Sequence, residues 1–214
     1  MKKLIIINIV TIVVLVLIGI GGFYYYNQAT SYIKTDNAKV DGQQIKIASS
    51  VSGKVESFDG KENKYYKKDE QIAEVAGKGE DGSPQKMDIK MPQAGTIVKT
   101  DAQEGGMVQA GSPMAYAYNL DELYITANVD ETDIGDVEKG RKVDVKIDGQ
   151  DSKMKGKVEQ VGKATASSFS LMPSSNSDGN YTKVSQVVPV KISLENAPAK
   201  SVVPGMNAEV SIHK

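Results

Sequence analysis

His213 is the only histidine in this 214-residue chain, and the sequence places no carboxylate or serine constellation around it. A general acid–base or metal role needs such partners within reach. The other stretch with ligand chemistry is the acidic "DETDIGDVE" over 130–138. An EF-hand loop needs oxygen ligands at alternating positions and a bidentate Glu at the twelfth. Counting from Asp130, Gly135 is the sixth residue, but Thr132 and Ile134 fall on ligand positions and Arg141 is the twelfth. The segment reads better as a short capped helix, with Asp130 as N-cap, Asp133 three residues on, Ile134 and Val137 on one face and Gly140 as the stop. There is no cysteine. That removes disulfides, thiol catalysis and cysteine-bound zinc. No paired carboxylates, phosphate-cradling glycine loop or nucleophile elbow occurs. The chain is expected not to be an enzyme and to hold no metal.

Charge and aromatics exclude a further class. The net charge is −1, from 26 basic and 27 acidic residues, and aromatics make up 6% of the chain. Nucleic-acid binding needs a basic footprint or aromatic stacking platforms, so no nucleic acid partner is expected.

The elements that would position any site follow from a repeat. Segments 47–75 and 89–117 are two copies of one pattern displaced by 42 positions. The displacement pairs Ile47 with Ile89, Gly53 with Gly95, Val55 with Ile97, Asp59 with Asp101, Glu62 with Glu104 and Ile72 with Met114. Each copy reads as a short strand, a Gly, a second strand, a polar turn and a last strand. Gly53 and Gly95 mark a place that needs positive φ or close backbone approach. Asn63 against Gly105, and Asp69 against Gly111, mark two turns in left-handed backbone, which Asn and Asp tolerate best after Gly. Neither copy has the apolar surface to fold alone, so the two clasp into one β sandwich of lipoyl type, over 45–118 with halves 45–75 and 88–118. The join, "AGKGEDGSPQKM" over 76–87, reads as a plain turn or loop.

A lysine on that join could carry lipoate or biotin, and Lys86 beside Met87 has the right neighbour. Its register differs, because carrier lysines resemble a position about five residues before the Ile aligned with Ile89, whereas Lys86 stands three before it and Lys78 eleven before. A solvated lysine is the better reading, and no cofactor is expected.

Residues 4–22 form an uncharged run of 19, which as a helix spans roughly 28 Å, the hydrocarbon thickness of a bilayer. Leu4, Ile5, Ile12, Leu15, Leu17 and Ile20 would face lipid. Lys2 and Lys3 precede the run and Phe23, Tyr24, Tyr25 and Tyr26 follow it, which predicts a cytoplasmic N-terminus and an interfacial aromatic belt. A cleaved signal peptide is the rival, but the run is long and no clean small-x-small site follows. Residues 1–30 are therefore read as an uncleaved transmembrane anchor, with everything after them extracytoplasmic.

Residues 31–44 read as a polar lead-in strand segment. Over 119–214 alternation returns at 123–129, 142–147, 156–161, 184–194 and 208–213, which suggests a small closed β barrel capped by the short helix. The fold class is mainly β. Between two of these strands lies "ASSFSLMPSSNSDGNYT", over 166–182, too long to be only a connection. Phe169, Leu171 and Met172 stand together there as either a docking surface or a lid on the barrel core.

Anchor, split lipoyl-like (barrel-sandwich hybrid) domain and barrel, in that order, resemble the HlyD-type membrane fusion, or periplasmic adaptor, family, and most of all its EmrA-type multidrug-export branch. The resemblance rests on "TDNAKVDG" (35–42), "IASSVSGKV" (47–55), "MPQAGTIV" (91–98), "LYITANVDETDIGDVEKGRKVDVKID" (123–148), "FSLMPSSNSDGNYTKVSQVVPVKI" (169–192) and "VPGMNAEVSI" (203–212). Asp69 departs from the family's usual Gly. A second departure matters more. Adaptors of two-membrane envelopes resemble one another in carrying a long helical hairpin between the lipoyl halves, and a dozen residues here cannot replace it. The resemblance implies a non-enzymatic, homo-oligomeric accessory subunit of a multidrug efflux system in the cytoplasmic membrane. Its implied partner is a transporter of major facilitator rather than ABC type, with no outer-membrane channel expected. The alternative is a membrane-anchored surface ligand-binding or structural protein with no pump.

Overall fold

The computed structural model describes residues 2–78, 83–169, 185–196 and 201–214, with side chains described except at 2–10, 26–29, 78 and 169. One helix, α1 (Lys2–Thr30, 29 residues), precedes fourteen strands. Its described side chains, 11–25, are exposed all round, so it offers no polar face to set against an apolar one. They cover less than a bilayer span, and among the described residues no helix is long and apolar enough to cross a membrane.

The strands are β1 (Tyr32–Asp41), β2 (Gln44–Ala48), β3 (Gly53–Phe58), β4 (Tyr65–Tyr66), β5 (Gln71–Lys78), β6 (Pro84–Lys90), β7 (Gly95–Thr100), β8 (Met107–Val108), β9 (Pro113–Tyr118), β10 (Tyr124–Asp130), β11 (Lys142–Ile147), β12 (Met154–Val161), β13 (Val187–Leu194) and β14 (Asn207–His213). Contacts divide the chain into two compact units, one of 1–39, 125–195 and 207–214, the other of 40–124 and 196–206.

The second unit holds a sandwich of two four-stranded sheets, ordered β2-β9-β7-β4 and β6-β5-β3-β8. Moving every strand by 42 positions carries one sheet onto the other. Each sheet takes its outer strands from one half and its inner pair from the other, which is why neither half can fold by itself. Alternation then sends Ile47, Val55, Ile72, Val75, Ile97, Met114 and Ala117 into one core, each at most 1% exposed. Each fully buried Ile contributes about 1.5–3 kcal/mol.

The join between the halves differs from the plain loop expected over 76–87. Strands β5 and β6 run on into it, pairing Val75 with Met87, Ala76 with Lys86, Gly77 with Gln85 and Lys78 with Pro84, and leaving only 79–82 outside the described residues. The ladder extends because alternate residues still find cross-strand partners, and Pro84 opens its strand, where the missing N–H costs nothing.

The first unit holds a closed barrel, ordered β1-β10-β13-β12-β11-β14. Its interior is aliphatic, with Ile33, Ile125, Val145, Ile147, Val190, Ile192, Val210 and Ile212 all buried. Segment 31–44, read as a lead-in strand segment, supplies a wall strand of the barrel. Tyr32 pairs with His213, Ile33 with Ile212 and Thr35 with Val210, and a bulge precedes the Ala38–Ala208 pair. The short helix expected over 130–140 contracts to a 3-10 turn, Ile134–Asp136. Asp130 ends β10, and its Oδ1 accepts from the N–H (3.0 Å) and hydroxyl (2.9 Å) of Thr132, but the turn it closes leads into the 3-10 turn only after Asp133.

Candidate functional site

The repeat's turns lock the two halves together. Asn63 lies at φ 63°, Asp69 at 64°, Gly105 at 82° and Gly111 at 80°. With the chain reversed there, Asn63 N–H reaches Ile97 O and Gly105 N–H reaches Val55 O, both at 2.8 Å. Asp69 N–H reaches Met91 O, and Gly111 N–H reaches Ser49 O, again both at 2.8 Å. Gly53 and Gly95 instead have extended backbone against a neighbouring carbonyl. A Cβ on Gly53 would stand 2.1 Å from Ala76 O, and one on Gly95 would stand 2.9 Å from Tyr118 O, its counterpart 42 positions on.

The outer faces of the two sheets are not alike. On the β2-β9-β7-β4 sheet, one row runs Lys46–Tyr116–Lys99 and the next Gln44–Tyr118–Thr96–Tyr65. The Lys99 ammonium lies 5.6 Å from the Tyr116 ring centre and 2.7 Å from Asp101, and the Gln44 amide donates to Tyr118 Oη at 3.1 Å. The equivalent rows of the other sheet run Asp88–Glu74–Ser57 and Lys86–Ala76–Lys54–Met107. The Lys86 ammonium sits between Glu56 and Glu74, at 2.9 Å from the latter. Hydrogen bonds that its ammonium donates to these two carboxylates, Glu56 first, hold Lys86 well above the usual lysine range. Lys86 in turn holds Glu56 low. The charge pattern was beyond sequence reading, because each row draws on three or four strands. Only the alternation of "PMAYAY" in β9 hints that Tyr116 and Tyr118 share a face.

His213 does have a carboxylate beside it, contrary to the reading of the sequence. Its Nε2 lies 3.0 Å from Asp144 Oδ2, and its ring meets Tyr32 edge-on with centres 4.7 Å apart. The adjacency of β11 and β14 in the barrel makes that pair. Lys214 reaches Asp136 at 2.8 Å beside it. In the acidic segment Asp130 Oδ2 accepts the Ser185 hydroxyl, so both its oxygens serve the fold. Among the described residues no three His, Asp or Glu side chains gather as metal ligands would. Of the docking triplet, Leu171, Met172 and the Phe169 side chain lie outside the described residues, and Phe169 ends a 3-10 turn, Ala166–Phe169. Of the anchor set, the side chains of Leu4 and Ile5 lie outside them too, while Ile12, Leu15, Leu17 and Ile20 are exposed on α1.

Comparison with known proteins gives this geometry a family. Residues 122–213 match the model of the AAEA-like beta-barrel domain. YhbJ of Bacillus subtilis (strain 168), named as an efflux system component, is 48% identical over 211 residues, which is 98% of this chain and 92% of that protein. The colistin resistance protein EmrA of Acinetobacter baumannii is 34% identical over 126 residues, 58% of this chain but 36% of its own length. The solved structure of the periplasmic adaptor protein EmrA superposes with a TM-score of 0.55 at 13% identity, over 86% of this chain and 99% of that one, a likeness of fold. The class is that of the membrane fusion, or adaptor, proteins of efflux systems, which are not enzymes. The chain belongs to this HlyD-type family and stands with its EmrA-type members, in a reduced form without a long helical hairpin between the sandwich halves.

Proposed function

We propose that the chain is anchored by α1 as a single pass, with its N-terminus in the cytoplasm, and works outside the cytoplasmic membrane as a homo-oligomeric collar on a transporter. The β5–β6 hairpin carries this reading. A short ladder stands where longer adaptors place their helices, so the sandwich has no arm to reach a second membrane. We assign it a partner in the membrane it is anchored to, a major facilitator exporter of amphipathic compounds, and no outer-membrane channel. The charge-free run 4–22, the two lysines before it and the aromatics after it support the anchor. Phe169, Leu171 and Met172 are assigned to docking on the transporter.

Genetics tests the pairing. Deleting this chain should lower efflux of amphipathic drugs, deleting its partner transporter should do the same, and deleting both should add nothing. An additive double defect would separate the chain from that pump. Resistance to high-salt extraction, with protease access from outside, tests the anchor. A mature N-terminus near Ser31 on a released protein would sink it.

A further inference from the structure

The methionines of this chain differ sharply in what surrounds their sulfurs. Met91 and Met114 are fully buried in the sandwich core. Met87, Met154 and Met206 are half-buried. The Met87 sulfur accepts the Ser50 hydroxyl and the Met206 sulfur accepts the Val203 N–H. Met107 stands apart at 78% exposure. Its strand explains why. β8 is two residues long and pairs with β3 at Gly53–Val108 and Lys54–Met107. Alternation turns Val108 against the core and Met107 to solvent. The backbone beside it is held, since Gly106 O accepts the Val55 N–H at 2.9 Å. The equivalent place 42 positions earlier is Tyr65 on β4, 56% exposed. Two unlike side chains at one outward position mean that the packing of the sandwich depends on neither. We propose that Met107 is a reversible oxidation site, taking an oxygen atom from hydrogen peroxide. The thioether sulfur supplies the electron pair, a sulfur–oxygen bond forms, the peroxide oxygen–oxygen bond breaks, and water leaves with both peroxide protons. Sulfur is oxidised by two electrons and peroxide is reduced. The resulting sulfoxide is the form that methionine sulfoxide reductases return to the thioether. The inference needs only the surface of the sandwich and stands apart from the collar reading.

Lys54 suits the product better than the starting thioether. It stands directly opposite Met107 on the same face, and both are exposed. Side chains so placed start from Cβ atoms about 4.5–5.5 Å apart. The carboxylates nearby, Glu56 and Glu74, are engaged by Lys86. A thioether sulfur is a weak acceptor, whereas a sulfoxide oxygen is polar. The Lys54 ammonium can donate a charge-assisted hydrogen bond to that oxygen. At Met91 or Met114 the same oxygen would be a polar group forced into an apolar core. Burial spares those two, and exposure directs the oxidant to the position where it does least harm. Oxidation therefore alters the surface and leaves the fold intact. The apolar end of the row Lys86–Ala76–Lys54–Met107 becomes polar.

The absence of cysteine removes the usual competitor for peroxide and makes the test direct. Full-length chain in membranes is treated with hydrogen peroxide, quenched at intervals, digested and read by mass spectrometry for one added oxygen. Met107 should gain it roughly tenfold faster than Met91 and Met114, and ahead of Met87, Met154 and Met206. Methionine sulfoxide reductases acting on both epimers should then remove it. Met107→Leu should abolish the fast phase and leave the slower ones unchanged, with circular dichroism checking the fold. After solubilisation, chain oxidised at Met107 should melt no lower than reduced chain, whereas Lys54→Ala should melt lower once oxidised. Oxidation of Met107 no faster than Met91 overturns the inference. So does a fall in the melting temperature of the unaltered chain when Met107 is the residue oxidised. Either result leaves the adaptor reading untouched, since that reading falls only with the efflux phenotype.

Discussion

Asn63, just before β4, donates its backbone N–H to the carbonyl of Ile97 on the neighbouring strand β7 at 2.8 Å, and the Ile97 N–H returns a bond to Lys64 O at 3.1 Å. The same clasp recurs 42 positions away, where Gly105 N–H reaches Val55 O at 2.8 Å and Val55 N–H reaches Gly106 O at 2.9 Å. Each half thus closes the other half's second strand. The stability of this unit resides in exchanged contacts, and substitutions at them should unfold both halves together.

Gly53→Ala should be the most damaging glycine-to-alanine substitution in the sandwich. Its new Cβ meets a backbone carbonyl at 2.1 Å, against 2.9 Å at Gly95. Overpacking of this kind costs typically about 1–3 kcal/mol, and the backbone must move. Chemical denaturation of both variants should rank Gly53→Ala below Gly95→Ala, and equal effects would contradict the geometry.

At Asp69, φ is 64°. Replacing it with Gly removes the steric cost of left-handed backbone, about 1–2 kcal/mol for an L residue and less for Asp. Asp69→Gly is expected to leave the melting temperature unchanged or raise it, whereas Asp69→Val should lower it.

Tyr66 is 1% exposed, accepts the Lys61 N–H at 2.8 Å and donates to Asp59 O at 2.6 Å. Phenylalanine there keeps the ring and leaves both partners unsatisfied. Tyr66→Phe should cost about 1–3 kcal/mol. A loss below a few tenths in urea titration would show that water replaces the hydroxyl.

The contribution of the Glu56–Lys86 pair to stability should change with pH only at the extremes of pH. Lys86 depresses Glu56, so that carboxylate's contribution is present above its unfolded value and lost as pH falls through the folded one. Lys86 is raised, chiefly by Glu56, so its contribution is present below the ordinary lysine value and lost only as pH climbs past the folded one. Lys86→Met should therefore show a small, flat deficit across neutral pH that vanishes in acid. A deficit that varies between about pH 6 and pH 8 would point to another group.

Replacing Phe169, Leu171 and Met172 with Ser distinguishes docking from packing. Co-purification with the transporter should fall while the melting temperature holds. Burial of Phe169 in the barrel would instead cost about 3–5 kcal/mol.

The sequence by itself determined the repeat, the strand spacing within it, the residue types at its turns and the family. Those depend on local order: alternation sets which residues share a face, and Gly, Asn and Asp mark reversals within a few positions. Only the tertiary structure decided which strands meet. Strand β1 joins a barrel wall through Ile33 and Ile212, residues far apart in sequence, and His213 finds Asp144 across two strands. Part of the connection at 76–87 became a ladder because residues 76–78 found partners at 84–86, and Asp130 closed a turn with Thr132 and bonded Ser185. Charge rows such as Lys46–Tyr116–Lys99 exist only once three strands are in register. Pairing between distant strands is set by burial of their shared core, a property of the whole chain that no single window contains.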